Sequence, residues 1–271
     1  MNPFPVSSFH VCLYLREKFE MCHSPSPIES AIYGIRWAHP MSGVPSSTEH
    51  IMVQQVVESC KRLLGKPVVG KESLNVDIIV RVVEKFNNSF ASLSNLRICF
   101  IFVLAFAGLM RCNEIIQVQR KHVHVFPDHM TIFCPRRKND QHSWGHTIYF
   151  ARSGQLTCPV SITEKLLSKL PCDCDQHLVC RLSSSGTPFP NPISYSRVRE
   201  IFRETLSHFV PDSAPFGTRS LKKGGATASC AAGISGDALD KHAGWKSSKS
   251  KESYINYSTE DKLRVSRGIN L

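Results

Sequence analysis

Four separated segments hold residues whose types suit chemistry on a phosphate. They are Gly108-Leu-Met-Arg-Cys-Asn-Glu-Ile115, Pro135-Arg-Arg-Lys-Asn-Asp140, Thr218-Arg-Ser-Leu-Lys-Lys-Gly-Gly-Ala-Thr227, and Ala243-Gly-Trp-Lys followed by Ser253-Tyr254. Arginine is the strongest phosphate donor among side chains, because its planar fork makes paired, charge-assisted hydrogen bonds and keeps its charge at any working pH. Arg111 has Glu114 three residues on, and an acid at that spacing can orient the guanidinium within one helical turn. Lys138, in a basic loop, can hand a proton to a departing oxygen. Taken singly, each has a plainer reading: Arg111 and Glu114 as a surface ion pair, Arg136, Arg137 and Lys138 as a solvated basic loop, and Trp245, Tyr254 and Tyr257 as half-buried packing. Their order and offsets over about 140 residues weigh more than any one position.

Such residues need a folded chain and an anionic partner. Of 271 residues, 33 are Lys or Arg and 22 Asp or Glu, a net charge of +11 that favours nucleic acid or an acidic membrane surface. With 42% apolar and 20% charged residues the chain has material for a core and lacks the composition of bulk disorder. Its length fits one large domain or two modest ones. Eleven scattered cysteines, an odd number, together with Arg16, Lys18 and Glu20 where a secretory leader would be apolar, predict an intracellular protein with free thiols. The longest apolar run, 98–110, falls short of the roughly 20 residues that span a bilayer and predicts a buried helix instead.

The elements that position these residues are legible in the hydrophobic period. Leu64-Gly-Lys-Pro-Val-Val-Gly-Lys71 interrupts two helical patterns and divides the chain into a unit at 1–66 and a larger one at 72–271. Helices are predicted over 6–21 and 49–64, and Pro25, Pro27, Pro40 and Pro45 confine a third to 28–38. Beyond the boundary, Ser73 caps a helix running to about Phe86, and 93–110 forms a second. The period then changes: 121–126 and 130–133 form a hairpin around Pro127-Asp-His129, with His122 and His124 on its exposed face, and 146–150 supplies a third strand. Helix returns from Pro159, clearest over 196–209, where Val198, Ile201, Phe202, Thr205, Leu206 and Phe209 share a face. The helix over 219–232 is rich in Gly and Ala, poor by propensity, and suited to close approach by a neighbouring helix or a DNA backbone. The predicted class is mainly α with a small three-stranded antiparallel sheet. One further cluster, Cys172-Asp-Cys174-Asp-Gln-His177-Leu-Val-Cys180, has the spacing C-x-C-x₂-H-x₂-C, unlike the usual zinc arms, and reads first as a loop.

From about Ser73 to Tyr257 the pattern resembles the catalytic domain of the tyrosine recombinases, phage-integrase-like DNA strand transferases, most closely their eukaryotic mobile-element versions. The resemblance implies a chemical role for each position. Arg111 is the first catalytic arginine, Glu114 its supporting acid, Lys138 the lysine of the loop between the second and third strands, Trp245 the residue of the Gly-Trp box and Tyr254 the nucleophile. Attack by the tyrosine on a phosphodiester puts additional negative charge on a pentavalent phosphorane, which fixed cationic donors stabilise. The covalent 3′-phosphotyrosyl link separates cleavage from rejoining, and the resemblance implies no metal, nucleotide cofactor or small-molecule substrate. Arg136, Arg137, Lys223 and Lys246 are expected to grip double-stranded DNA. The first unit resembles the helical core-binding domain, through Ile32-Tyr-Gly-Ile-Arg-Trp-Ala-His39, and at about 70 residues is short for it.

The chain departs from the family at the His-x-x-Arg box, where it carries Arg219 and Lys222. Both keep positive charge, but Lys222 lacks the fork and Arg219 cannot exchange a proton near neutrality as imidazole can. The first expectation is therefore DNA cleavage and rejoining for recombination or integration, by a synaptic tetramer when active, inside the cell and in the nucleus if the host is eukaryotic. The alternatives are a mobile-element-derived DNA-binding protein that has lost the reaction, and a basic helical interaction protein with a structural Cys/His site.

Overall fold

The computed structural model describes residues 5–67, 70–137, 144–245, 251, 252, 254, 255 and 263. The chain divides into two compact units, Met1–Gly70 and Lys71–Leu271. No helix among the described residues is long and apolar enough to cross a membrane.

The first unit is three helices, α1 (Ser8–Met21), α2 (Ser26–Met41) and α3 (Ile51–Leu64), around a small core of Val11, Leu15, Ile28, Ile32, Val53 and Cys60. The Ser7 hydroxyl accepts from the His10 amide to start α1. α2 runs further than its prolines predict. Pro27 falls in the first turn, where a missing N–H costs nothing, and Pro40 falls in the last. Within it His39 is fully buried, its Nδ1 2.8 Å from the Ile35 carbonyl and its Nε2 accepting from Val6 N.

The second unit is built around α5 (Leu93–Ala107), apolar on all sides and enclosed by α4 (Val76–Phe86) and by later elements. Asn75, not Ser73, caps α4, its side chain accepting from Asp77 N; Leu74, just before it, is tied by its amide to the Ser220 carbonyl. α5 stops at Ala107, earlier than the apolar run predicts. Gly108 sits so close to Phe150 that a Cβ would lie 2.5 Å from the ring, and Leu109 turns the chain with φ +48°. A short helix, α6 (Cys112–Ile116), follows. Strands β1 (Val123–Val125), β2 (His129–Cys134) and β3 (His146–Ala151) form the antiparallel sheet in that order, with Val123 opposite Ile132 and Ile132 opposite Ile148. Met130, Ile132, Cys134, Ile148 and Phe150 alternate onto its buried face. α7 (Pro159–Lys169) packs on α5; strands β4 (Cys180–Leu182) and β5 (Pro188–Pro192) add a two-stranded sheet that strand patterning does not announce. α8 (Tyr195–Leu206) presents Val198, Ile201, Phe202, Thr205 and Leu206 to the core, as its periodicity predicts.

α9 (Arg219–Ala231) crosses α5 at a distance that only glycine allows. A Cβ on Gly224 would overlap the Leu74 carbonyl oxygen, and one on Gly225 the Phe106 carbonyl oxygen. The small residues of this helix therefore serve helix packing. The last labelled helix, α10 (Gly236–Ala243), is capped by the Ser235 hydroxyl on Ala238 N.

Candidate functional site

Glu114 is the centre from which the site can be built. Its carboxylate is almost fully buried at the start of α6, where Oε2 accepts from Arg111 N at 2.8 Å and Oε1 from Arg111 Nη1 at 2.9 Å and from Arg137 Nε at 3.2 Å. Burial pushes this carboxyl up, but the Arg137 charge, the Arg111 amide and the Lys222 charge together hold it below the ordinary carboxylate value. One carboxylate thus serves two guanidiniums and leaves the pocket with surplus positive charge.

Arg137 departs from its expected place. It is a buried strut, its side chain 8% exposed, running from Glu114 to the Ala243 carbonyl, which accepts from Nη2 at 2.7 Å. Its guanidinium lies so close to Gly244 that a Cβ there would overlap Nη1. Burial of a guanidinium at the end of β2 is a tertiary fact; the basic run Pro135-Arg-Arg-Lys138 gives no sign of it. Two histidines that the sequence reading passed over complete the brace. His242 Nε2 lies 2.9 Å from the Ala107 carbonyl, and His146 Nε2 3.1 Å from the His242 carbonyl. Burial holds the His146 imidazole below its ordinary value. Arg137 and His146 thereby meet two of the last carbonyls of α10, the partially negative end of that helix.

The same helix end explains the Gly-Trp pair. Gly244 takes the left-handed conformation (φ +60°), its amide donates to Lys241 O, and Trp245 N donates to Asp240 O at 2.9 Å. This paired closure of the last turn favours glycine and directs the next residue back onto the helix. Trp245 lands in an apolar corner with Leu109, Ala226, Leu239 and Ala243, and Tyr254 stacks on it with ring centres 5.6 Å apart. Arg111 shares the cleft with Tyr254. Lys222, from the first turns of α9, places Nζ 5.3 Å from the centres of both rings.

Arg111, Glu114, Arg136, Arg137, Arg219, Lys222 and Tyr254 line one cleft of about 910 Å³. Arg136 and Arg219 are exposed at it, and Tyr195 Oη meets Thr218 Oγ1 there at 3.0 Å. Lys223 is not part of this lining, its Nζ donating to the Lys71 carbonyl. Lys138 and Lys246 lie outside the described residues. Three buried donors in this corner, Lys222 Nζ, Trp245 Nε1 and Arg137 Nη1, find no acceptor within the described protein. Unpaired buried N–H groups are costly, and two of these residues, Arg137 and Lys222, line the cleft, where Arg111, Arg136 and Arg219 add positive charge suited to an anion.

The Cys/His cluster is not gathered. Cys172 and Cys174 are exposed, Cys180 is in the core, and His177 Nδ1 is 2.9 Å from Pro190 O. Among the described residues the group close enough to share an ion is Asp173, Cys174 and Asp175, all exposed.

No family model and no curated protein matches the sequence. Solved structures do. The XerH site-specific recombinase in a post-cleavage complex with palindromic difH is 12% identical, with TM-score 0.64 over 98% of this chain and 72% of that one. The fold is that of a tyrosine recombinase. The Tn1549 transposon integrase, in complex with transposon right end DNA, also gives 0.64 at 12% identity, covering 98% and 86% of the two chains. A lambda integrase dimer bound to a COC′ core site gives 0.56 at 14%, covering 96% and 66%. In this tyrosine recombinase fold the site residues come from the C-terminal side of α5, the end of β2, α9 and the segment after α10.

Proposed function

We propose that the chain binds double-stranded DNA and cleaves and rejoins one strand through a 3′-phosphotyrosyl link made by Tyr254. The observation that carries this reading is that Arg111, Lys222 and Tyr254 line one cleft, with Trp245 stacked on Tyr254 and Lys222 Nζ over both rings. Arg111 binds a non-bridging oxygen of the scissile phosphate, Arg219 approaches from the exposed rim, Trp245 offers its indole N–H, and Glu114 positions Arg111. Lys138 protonates the departing 5′ oxygen, a role that rests on the resemblance alone. Strand exchange needs two duplexes, so a synaptic tetramer is the working assembly, and the three-helix unit acts as a short core-binding domain. Most of the binding energy comes from phosphates, so log affinity falls with log salt by about 0.9 per phosphate neutralised.

A second reading keeps the DNA and drops the reaction. It is favoured by Lys222 and Arg219, which hold charge where the family has arginine and histidine. Trapping on a nicked duplex that loses its leaving strand separates the two. A covalent adduct that vanishes in Tyr254→Phe supports cleavage; a bound duplex that never yields one leaves a binding module.

A further inference from the structure

Lys222 is buried in surroundings hostile to an ammonium. Its side chain is 1% exposed and its Nζ has no hydrogen-bond partner among the described residues, although it faces the rings of Trp245 and Tyr254. The other groups around it are Glu114 and Arg111 from α6 and its cap, and Arg137 and Cys134 from the end of β2; Arg219, on its own helix, is exposed. Burial is the largest influence and disfavours the charged form; Glu114 recovers part of that, and Arg111 and Arg137 lower it again, so the amine is pushed down to about 7. An approaching phosphate adds negative charge beside Nζ and raises its proton affinity at the moment of reaction.

We propose that Lys222 is the proton acceptor for Tyr254, reacting in its neutral form and charged once the phenol has attacked. This rests on the reading of Tyr254 as the nucleophile. In cleavage the bond from Tyr254 Oη to phosphorus forms and the bond from phosphorus to the 5′ oxygen breaks. The phenolic proton passes to Lys222 Nζ, and the departing oxygen takes a proton from the Lys138 ammonium. Rejoining reverses each transfer, so the cycle gains and loses no proton. The two departures at the His-x-x-Arg box then compensate for one another. Arg219 holds charge where imidazole would exchange a proton, and Lys222 exchanges a proton where arginine would hold charge.

The test is the single-turnover rate of adduct formation by the full chain on nicked duplex, between pH 5.5 and 8.5 with DNA limiting. A base of this kind makes the rate climb about tenfold per pH unit through 7 and level off above it, the phosphate having moved the limb upward from the free-protein value. A rate that falls as pH rises through 7 makes Lys222 a charged clamp and overturns the proposal. Lys222→Arg should bind the duplex and lose this limb; a limb that persists in that variant belongs to another group, such as His146, and overturns the proposal. Lys222→Met should slow the reaction about 100-fold. A bridging sulfur in place of the 5′ oxygen leaves without a proton. If it restores Lys222→Met to the wild-type rate, the lysine acts on the leaving group and the proposal fails. Bound wild-type protein with no adduct at any pH removes the nucleophile reading itself, whereas an adduct whose pH profile ignores Lys222 removes only this inference.

Discussion

Around α5 the protein buries a continuous apolar core in which Phe102 stacks on Phe202 at 5.5 Å, whereas around Trp245 the apolar patch shrinks to Leu109, Ala226, Leu239, Ala243 and the indole. In the first region buried polar groups reach backbone, Thr163 Oγ1 donating to Pro159 O at 2.7 Å and Arg97 Nη1 to Cys180 O at 2.6 Å, and among the described residues one donor there, Arg97 Nε, lacks a partner. In the second, a single buried carboxylate faces Arg111, Arg137 and Lys222, and three donors, Lys222 Nζ, Trp245 Nε1 and Arg137 Nη1, have no partner among the described residues. The large core supplies the stability that the charged corner spends. Tight packing of α9 on α5 and a left-handed turn at Gly244 hold unfavourable charges where relaxation would otherwise scatter them.

That division is broken most severely by removing a member of each side. Phe202→Ala should cost about 3–5 kcal/mol in urea unfolding, by lost burial and a residual cavity. Folded Phe202→Ala at low temperature should still bind duplex. Glu114→Gln should cost a similar amount, about 3–5 kcal/mol, because it leaves buried guanidiniums uncompensated. The two differ in pH dependence. The folded value of Glu114 is depressed, so its stabilisation is present above the unfolded carboxylate value and is lost as pH falls through the folded one. Wild type and Phe202→Ala should share that acid limb. Glu114→Gln should lack it, and an unchanged limb would mean that Glu114 is not the paired carboxylate.

The next effect has the opposite sign. Lys222 binds its proton more weakly in the fold, at about 7, than in the unfolded chain. Its cost is therefore complete below pH 7 and is relieved as pH climbs toward the ordinary lysine value. Lys222→Met should raise stability at pH 6 by on the order of a few kcal/mol, with the advantage narrowing toward pH 10. Urea midpoints at pH 6, 8 and 10 check this; an advantage independent of pH would assign the gain to packing instead.

How far the sequence reveals these two regions depends on whether a feature is periodic. The sheet, α8 and the all-round apolar α5 declare themselves because each buries a regular face. β4 and β5 do not: Pro188, Pro190 and Pro192 cannot donate along a ladder, and the pair carries an irregularity between Cys180 and Leu182. α10 buries only Leu239 and Ala243, too few positions for a period to register. In the site, residue type and order marked Arg111, Lys222, Trp245 and Tyr254. The burial of Arg137 and the bracing by His146 and His242 arise from elements far apart in the chain, so no local pattern encodes them.

Gly225→Ala sharpens the comparison at smaller cost. The new methyl would press on the Phe106 carbonyl and on Leu109, so α9 must shift, for about 1–3 kcal/mol. Lys222 lies one turn away on that helix. Adduct formation on nicked duplex should fall by more than in Phe202→Ala measured at equal fraction folded, because the displacement is delivered to the site itself. Equal losses would deny that α9 packing positions the lysine.

The smallest effect tests whether the two regions are separable at all. Asn75→Ala removes the cap of α4 and should cost about 1 kcal/mol. The segment before that cap also reaches the site helix, since Leu74 N donates to Ser220 O and the Lys71 carbonyl accepts from Lys223 Nζ. With those backbone ties intact, loss of the cap should lower the unfolding midpoint and leave duplex affinity unchanged. An affinity loss beyond that expected from the unfolded fraction, in a filter-binding titration at fixed salt, would show that fraying at the start of α4 is transmitted through residues 71–74 to the first turn of α9. The core and the charged corner would then be one cooperative unit, with Ser220 as the hinge between them.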